Sequence, residues 1–400
     1  MHSPSPAACV AASPASATRL PLSGLLALAL TGFIAILSET LPAGLLDQIA
    51  DGMQISQAMA GQWVTAYALG SLLTAIPLVT LTQGWWRRRA LLLAIAGFVL
   101  FNGLTAVSPD NTLTLCLRFL TGAAAGLAWG LIAGHARRMV APAQQGRAMA
   151  VAMLGQPIAL SLGLPIGTWL GAWLGWRAAF VVVTVAALLL TVWVVRAVPD
   201  FPGQAAGKRP AALTVLRTPG VARVLLVILA WILGHNILYT YIVPLLAAGM
   251  TAEVGQVLMT FGLASLGGIV LVGLGVDRHL RGLVLLCLAG FALATLALGQ
   301  AQGAAWLVHV SVALWGMTYG GAPTLLQTAC ADAAGEGGDV AQSMLVTVWN
   351  SAIALGGIIG GLLLVGAGVE SFGAVVLGLL ALAWLLVVSG RRAGFVAGAR

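Results

Sequence analysis

Two stretches of this chain, 181–195 and 374–388, contain no charged residue and carry apolar side chains around the whole circumference of a helix. A helix that is apolar on every face belongs inside a large core or in a membrane. Similar runs recur throughout the 400 residues, of which 60% are hydrophobic and 8% charged, against about 25% charged in a typical soluble domain. The mean hydropathy of +1.01 exceeds what a soluble core of this length can absorb. A hydrocarbon layer of about 30 Å takes about 20 apolar residues per helix, which leaves room for at most about a dozen crossings. A closed barrel would need short segments of alternating polarity. The continuous runs exclude it, and the expectation is an all-α membrane protein.

Breaks at polar, Gly and Pro clusters divide the apolar sequence into spans near 21–48, 57–82, 89–108, 112–136, 147–172 and 177–197, then 220–248, 254–276, 282–300, 304–329, 340–367 and 371–389. With the N-terminus in the cytoplasm, the inside segments receive Arg19; Arg87, Arg88 and Arg89; Arg137, Arg138 and Arg147; Arg196, Lys208, Arg209, Arg217 and Arg223; Arg278 and Arg281; and Arg391, Arg392 and Arg400. Seventeen basic residues thus fall inside, against Arg177 outside and Arg118 within a span. The positive-inside rule then places both termini in the cytoplasm and makes the number of spans even. One inside loop is an exception, with Asp332, Glu336 and Asp339 and no basic residue. Acidic residues weigh little in the rule, so the orientation stands.

The longest internal break separates six spans from six and contains Pro199, Pro202, Pro210, Lys208 and Arg209. The expected organisation is a disordered cytoplasmic tail at 1–19, a six-helix bundle at 20–197, a cytoplasmic linker at 198–218, a second six-helix bundle at 219–390 and a cytoplasmic tail at 391–400, in the inner (plasma) membrane. The first nineteen residues have no apolar h-region and do not read as a signal peptide. Cys9, Cys116, Cys287 and Cys330 are scattered, without metal-ligand or disulfide spacing. Neither a metal nor another cofactor is expected. A net charge of +8 would suit nucleic acid, but the basic residues alternate with the spans, so no nucleic-acid partner is expected.

After the eighth span comes Gly273-Leu-Gly-Val-Asp277-Arg278-His-Leu-Arg281, of the form G-x3-D-R-x2-R. After the second span stands Val79-x3-Gln83-Gly84-Trp85-Trp86-Arg87-Arg88-Arg89. Aligning Arg87 with Arg281 offsets the two halves by about 194 residues, as parallel six-helix repeats would. Span four begins Arg118-x3-Gly122-x3-Gly126, and span five holds Gly163-Leu-Pro165-Ile-Gly167 and ends in Gly175-Trp176-Arg177-Ala-Ala-Phe180. With Ser38-Glu39-Thr40-Leu-Pro42 in span one, Tyr239-Thr-Tyr241-Ile-Val-Pro244 in span seven and Trp349-Asn350 in span eleven, the chain resembles the major facilitator superfamily. Within it, the likeness is to the twelve-span drug:proton antiporter branch of arabinose-efflux-permease type, and it covers residues from about 20 to 390. The resemblance implies two pseudo-symmetric six-helix bundles, with gating and structural roles for Arg87, Arg88, Arg118, Gly122, Gly126, Gly163, Pro165, Gly167, Gly273, Asp277, Arg278 and Arg281. One departure stands out. The family's loop has an acid that locks the cytoplasmic side of the outward-open state, and Gln83 occupies that place here. Either the lock rests on Asp277 alone, or Gln83 substitutes as a neutral hydrogen-bond partner.

Glu39 is the one acidic residue placed well inside a span. A charged residue at a bilayer centre costs about 2.5 to 3.5 kcal/mol on insertion scales and calls for a compensating role. Proton exchange is the functional reading; a protonated carboxyl bonded to a neighbouring helix is the structural one. Arg118 lies about two turns into span four, where it either meets Glu39 across a cavity or holds backbone carbonyls. In span seven, His235 and Tyr239 share one helix face, with Asn236 and Tyr241 to its sides. His235 is a second candidate proton carrier or a tautomer-fixed structural histidine. The expected binding set is Glu39, Gln156, His235, Asn236, Tyr239, Tyr241, Gln327 and Asn350, with Trp129, Trp315 and Trp349 as ring surfaces.

The function expected from these residues and the resemblance is a monomeric secondary transporter that exports small, drug-like molecules by proton antiport through alternating access. Its partners would be a small-molecule substrate, protons and the lipid bilayer. Export of sugars, nucleosides or metabolites is the alternative, followed by import on the same fold. An embedded enzyme or scaffold ranks last, because the sequence shows no phosphate loop, metal cluster or nucleophile-base pair.

Overall fold

The computed structural model describes residues 20–205, 210–247 and 252–395. The expected tail 1–19 with Cys9 and Arg19, the linker residues Lys208 and Arg209, and Arg400 lie outside them. Among the described residues there is helix and no strand. Spans one to four are Leu22–Gly44, Gln57–Leu81, Arg87–Val107 and Asn111–Arg138; spans six and seven are Trp176–Ala197 and Val221–Thr240; spans eleven and twelve are Gly338–Gly366 and Glu370–Ser389. Spans eight and nine run together as Val254–Gly299, broken only where His279 leaves helical backbone angles. Span ten consists of Ala305–Gly320 and Ala322–Ala334. Nine continuous stretches of the described residues are long and apolar enough to cross a membrane. They resolve into eleven once Val254–Gly299 is divided at His279 and the stretch Ala305–Gly366 at its Gly335 turn, and the segmented span five completes twelve.

Local chemistry explains several of the boundaries. The Asp110 carboxylate accepts from the amides of Thr112 (2.7 Å) and Leu113 (3.1 Å) and caps span four, satisfying two of the donors every helix start leaves free. The same helix ends with Arg137 and Arg138, whose positive side chains suit the negative end of its dipole. Spans five and six are joined through Gly175 alone, at φ +84°, a backbone region costly for any residue with a Cβ. Span five is segmented: Gln145–Met153, Gly155–Ile158, a wide π turn at Ala159–Gly163, then Leu164–Leu174. The wide turn immediately precedes Pro165, which cannot donate an amide hydrogen bond and whose ring would strike the carbonyl four residues back. The bend wraps span five around span one, with Gly155 against the Ala29 carbonyl, Gly163 against the Phe33 ring and Gly167 against Leu41.

Buried apolar side chains form two cores, one drawn from residues between Leu25 and Val198 with Ile269 added, the other from Val215 to Phe395. Each half is pinned by a pair of glycine-mediated helix crossings. Gly122 and Gly126 of span four face the carbonyls of Tyr67 and Ser71 in span two. In the second half, Gly316 and Gly320 of span ten face the carbonyls of Phe261 and Ser265 in span eight. All four positions obey the same 194-residue offset that aligns Arg87 with Arg281, so the small residues that let two backbones touch were duplicated with the bundle. The Gly316-x3-Gly320 of span ten is the counterpart that the offset picks out.

The linker lies across one end of the bundle, hereafter the linker face. Gln204 N donates to Gln83 O (2.8 Å), Arg87 N to Phe201 O (2.9 Å) and Arg88 N to Asp200 Oδ1 (3.0 Å). A short helix, Ala212–Arg217, then sets Val215 into the second core.

Candidate functional site

Between the two halves lies a cavity of about 260 Å³ lined from both. Spans one, two, four and five contribute Ile36, Glu39, Thr40, Ser71, Trp129, Gln156 and Leu160; spans seven, eight, ten and eleven contribute His235, Asn236, Tyr239, Phe261, Tyr319, Pro323, Gln327, Gln342, Trp349 and Asn350, with further apolar residues of span eleven. The sequence-expected residues Glu39, Gln156, His235, Asn236, Tyr239, Gln327 and Asn350 are therefore brought together. Tyr241 is placed elsewhere. Its hydroxyl donates to Gly357 O (2.6 Å) and its ring lies 5.9 Å from that of Phe372, so it packs spans seven, eleven and twelve together behind the wall. Two residues past Tyr239, about 200° around the helix, Tyr241 points away from the cavity.

On the first-half wall, Glu39 presents its carboxyl to the cavity. None of the ion pairs among the described residues involves it. Arg118, fully buried, lies within electrostatic reach of Glu39 but spends its hydrogen bonds on carbonyls: Nη2 donates to Ser38 O (2.5 Å) and Nε to Trp63 O (3.4 Å). Its guanidinium stacks over Tyr67 at 5.0 Å from the ring centroid and over Phe180 at 5.6 Å. Tyr67 in turn donates to Ala35 O (2.7 Å), and Asn102 Nδ2 donates to Ser38 Oγ (2.9 Å). Spans two and four thus grip the backbone of span one, and span three its Ser38 hydroxyl, in the turn just before the residue that carries the carboxyl. Asn102 was not among the expected residues; a lone Asn in an apolar span was the available signal.

The second-half wall is aromatic. The His235 ring stacks on Tyr319 with centroids 3.5 Å apart and 13° between planes, and Tyr239, Trp315 and Phe261 surround it at 5.2, 5.4 and 5.7 Å. Trp315 sits behind this layer, 4.9 Å from Phe261 and parallel to Phe291 at 5.8 Å. Tyr319, Phe261 and Gln342 were missed from sequence, because single aromatics and amides in apolar helices do not announce which face they occupy. The amide groups are largely occupied within the protein: Asn236 Nδ2 donates to Ile232 O (2.8 Å), Asn350 Nδ2 to Val346 O (2.9 Å), Gln342 Nε2 to Gln327 O (2.7 Å) and Gln327 Nε2 to Met153 Sδ (3.0 Å). What remains for a bound molecule is a mixture: amide oxygens, Gln327 Oε1 among them, and the ring donors of the lining, the Trp129 and Trp349 indoles and the Tyr239 and Tyr319 hydroxyls.

Toward the linker face the halves close on each other. Thr328 Oγ1 reaches Met149 Sδ (3.4 Å) next to the lining residue Gln327, and Thr347 Oγ1 reaches Leu72 O (3.4 Å) beside the lining residues Val346 and Ser71. Below that layer Asp339 Oδ2 receives Arg87 Nη1 at 2.8 Å and Arg138 Nη2 at 3.2 Å, and Asp332 Oδ1 receives Arg137 Nη2 at 2.7 Å. Each pair joins the first half to the second. The acidic loop that broke the charge pattern is thus the partner of the basic residues around it. Asp277 accepts from the amides of Gly146 (2.5 Å) and Arg147 (3.2 Å) at the start of span five, making it the third carboxylate bound across the halves, while Gly273 packs against Ala150. Outside these contacts a charged vestibule of about 830 Å³, bordered by Arg278 and Glu336, opens at the linker face; Gln342 borders both it and the cavity.

The two loop motifs differ in detail from their alignment. Arg281 donates to Val387 O (3.3 Å) and Val388 O (3.1 Å) at the end of span twelve. In the first half Arg88 performs that task, donating to Val195 O (3.2 Å) and Val198 O (3.3 Å) at the end of span six. The turn Thr82–Trp86, where spans eight and nine merely kink, shifts the register by one residue and frees Arg87 for Asp339. Gln83 does not reach the second bundle's helices; its Nε2 donates to Pro210 O (3.3 Å) in the linker.

Comparison with known proteins agrees with this architecture. The chain is 31% identical over 351 residues to a chloramphenicol efflux pump of Mycobacterium tuberculosis, with 84% of each chain covered. It is 27% identical over 365 residues to a “probable sugar efflux transporter” of Helicobacter pylori, covering 90% of this chain and 93% of the other. Among solved structures it matches the transporter FucP in an outward conformation at a TM-score of 0.75 with 14% identity, over 92% of this chain and 98% of that one, a likeness of fold. The family model of the Major Facilitator Superfamily matches residues 28–357. The chain is a multi-pass membrane protein and belongs to this superfamily of transporters.

Proposed function

We propose that this protein exports a small, drug-like molecule in exchange for protons, alternating access to the cavity between its halves. The observation that carries the reading is the pairing of walls: a single carboxyl, Glu39, on one wall of the cavity and a stacked aromatic surface on the other. A carboxyl in that position serves one of two occupants at a time, a proton or a cargo donor group. Competition of that kind couples the two flows. Aromatic rings supply apolar area and face-on contacts, which favours drug-like cargo with a flat apolar part. The hydroxyl, indole and amide groups of the lining suit sugar hydroxyls as well, and that is the second reading. The names of the relatives supply the first two probes, chloramphenicol and a monosaccharide.

The linker face is read as cytoplasmic from the distribution of basic residues. The cavity is then shut toward the cytoplasm, and export requires the ion pairs to part so that cargo enters through the charged vestibule. The test is counterflow in proteoliposomes under an imposed pH gradient. Wild type is expected to accumulate one of the probes in response to the gradient, and Glu39→Gln is expected to bind it yet lose at least tenfold of the gradient-driven rate. Undiminished gradient-driven export by Glu39→Gln would remove Glu39 from the coupling, and facilitated flow in wild type without response to the gradient would replace antiport by passive transport.

A further inference from the structure

The same 194-residue offset that superposes the glycine crossings makes a specific demand at the linker face. It carries Asp277 to Gln83, and the Gly146 amide that Asp277 holds to Val340, in the first turn of span eleven. A symmetric molecule would have an acid at 83 gripping the start of span eleven as Asp277 grips the start of span five. Gln83 instead faces the linker. The start of span eleven carries its own acid, Asp339, 4% exposed and held by Arg87 and Arg138.

We propose that Asp339 is the gating acid of the first-half latch, transposed from the loop at 83 to the helix it would have gripped, so that this chain closes its linker face with a cross-half ion pair on one side and a helix cap on the other. The charge has moved across the interface, and its partners have followed. Arg88 has taken over the carbonyls of span six, leaving Arg87 free to span the gap. Arg138 corresponds by the same offset to Asp332, so cation and anion occupy equivalent places in the two halves. At the first turn of its helix Asp339 is also favoured by the positive end of the dipole. A buried ion pair suits a latch better than a permanent brace. Its Coulomb gain is largely offset by desolvation, so closed and open states stay close in energy, whereas removing one partner strands a buried charge.

This inference rests on the alternating-access reading, and its test reads conformation separately from transport. Spin labels are placed at Arg89→Cys and Gly282→Cys, both exposed and in opposite halves at the linker face, in protein cleared of reactive native cysteines. Asp339→Asn is expected to raise the population with separated labels at least threefold and to slow export about tenfold. Gln83→Asp combined with Asp339→Asn is expected to return both to within about twofold of the starting protein. A label distribution unchanged by Asp339→Asn overturns the assignment of Asp339 as a gating acid. An opening that Gln83→Asp does not reverse overturns the transposition. A parent protein that shows both populations yet moves no probe refutes the proposed cargo and leaves the latch standing.

Discussion

At the residue scale, the chain treats its two intramembrane charges differently. Glu39 is left facing the cavity, while Arg118 is held by two carbonyls and two rings. Truncating Arg118 strands the Ser38 and Trp63 carbonyls in a buried setting, so Arg118→Ala is expected to cost about 3 kcal/mol, visible as a lower Tm in detergent, together with loss of transport. Arg118→Lys keeps the charge but not the fork that reaches both carbonyls, and it should recover stability only partly. An Arg118→Ala protein as stable as wild type would show that the carbonyl grip is incidental. Glu39 and Arg118 were both visible in the sequence because a charge in an apolar run is costly. Asn102 and Tyr319 were not, because polar or aromatic residues in a span become informative only when their neighbours are known.

At the element scale, the glycines divide by what stands opposite them. A Cβ at Gly122 or Gly316 would run into the carbonyl of Tyr67 or Phe261, whereas one at Gly357 meets nothing within 4 Å. Gly122→Ala and Gly316→Ala are each expected to cost about 1–3 kcal/mol by forcing two helices apart, and Gly357→Ala to leave the Tm within a degree or so of wild type. Equal behaviour of all three would refute the pseudo-symmetric crossings. Sequence reading singled out Gly122 and Gly126; span eleven carries the same spacing in Gly356 with Gly360 and Gly357 with Gly361. In the structure Gly356 meets Asn236 and Gly360 meets Tyr241, while Gly357 stands open. A Gly-x3-Gly pattern states that a close approach is available on a face; which face is used depends on where the partner helix lies.

At the scale of the whole molecule, the contacts between halves concentrate at the linker face, where three carboxylates bind across the divide. Closure there and the lining of the cavity from both halves are what the proposed alternation requires, one seam opening as the other shuts. The orientation itself is open to a direct check. Alkaline phosphatase fused after Gly175 is expected to be active and a fusion after Gly335 inactive, since the first joint lies opposite the linker and the second beside it. The reverse pattern would invert the molecule and turn the reading of export into import.

The sequence by itself determined the membrane, the helices, the pairing of two halves and the presence of one carboxyl and one arginine within the spans, because each follows from the cost of putting polar groups in hydrocarbon and from a repeat readable as an offset. It also contained the acidic loop 332–339, but as an anomaly. Only the tertiary structure decided that Asp339 and Asp332 answer the arginines of the other half, that Tyr241 turns away while Tyr319 turns in, and that Gln83 serves the linker. Those choices depend on which helix faces stand opposite one another across the seam, where residues some 250 positions apart, Arg87 and Asp339, come within 2.8 Å. Hydrophobic patterning decides that a segment is buried and leaves open what it is buried against.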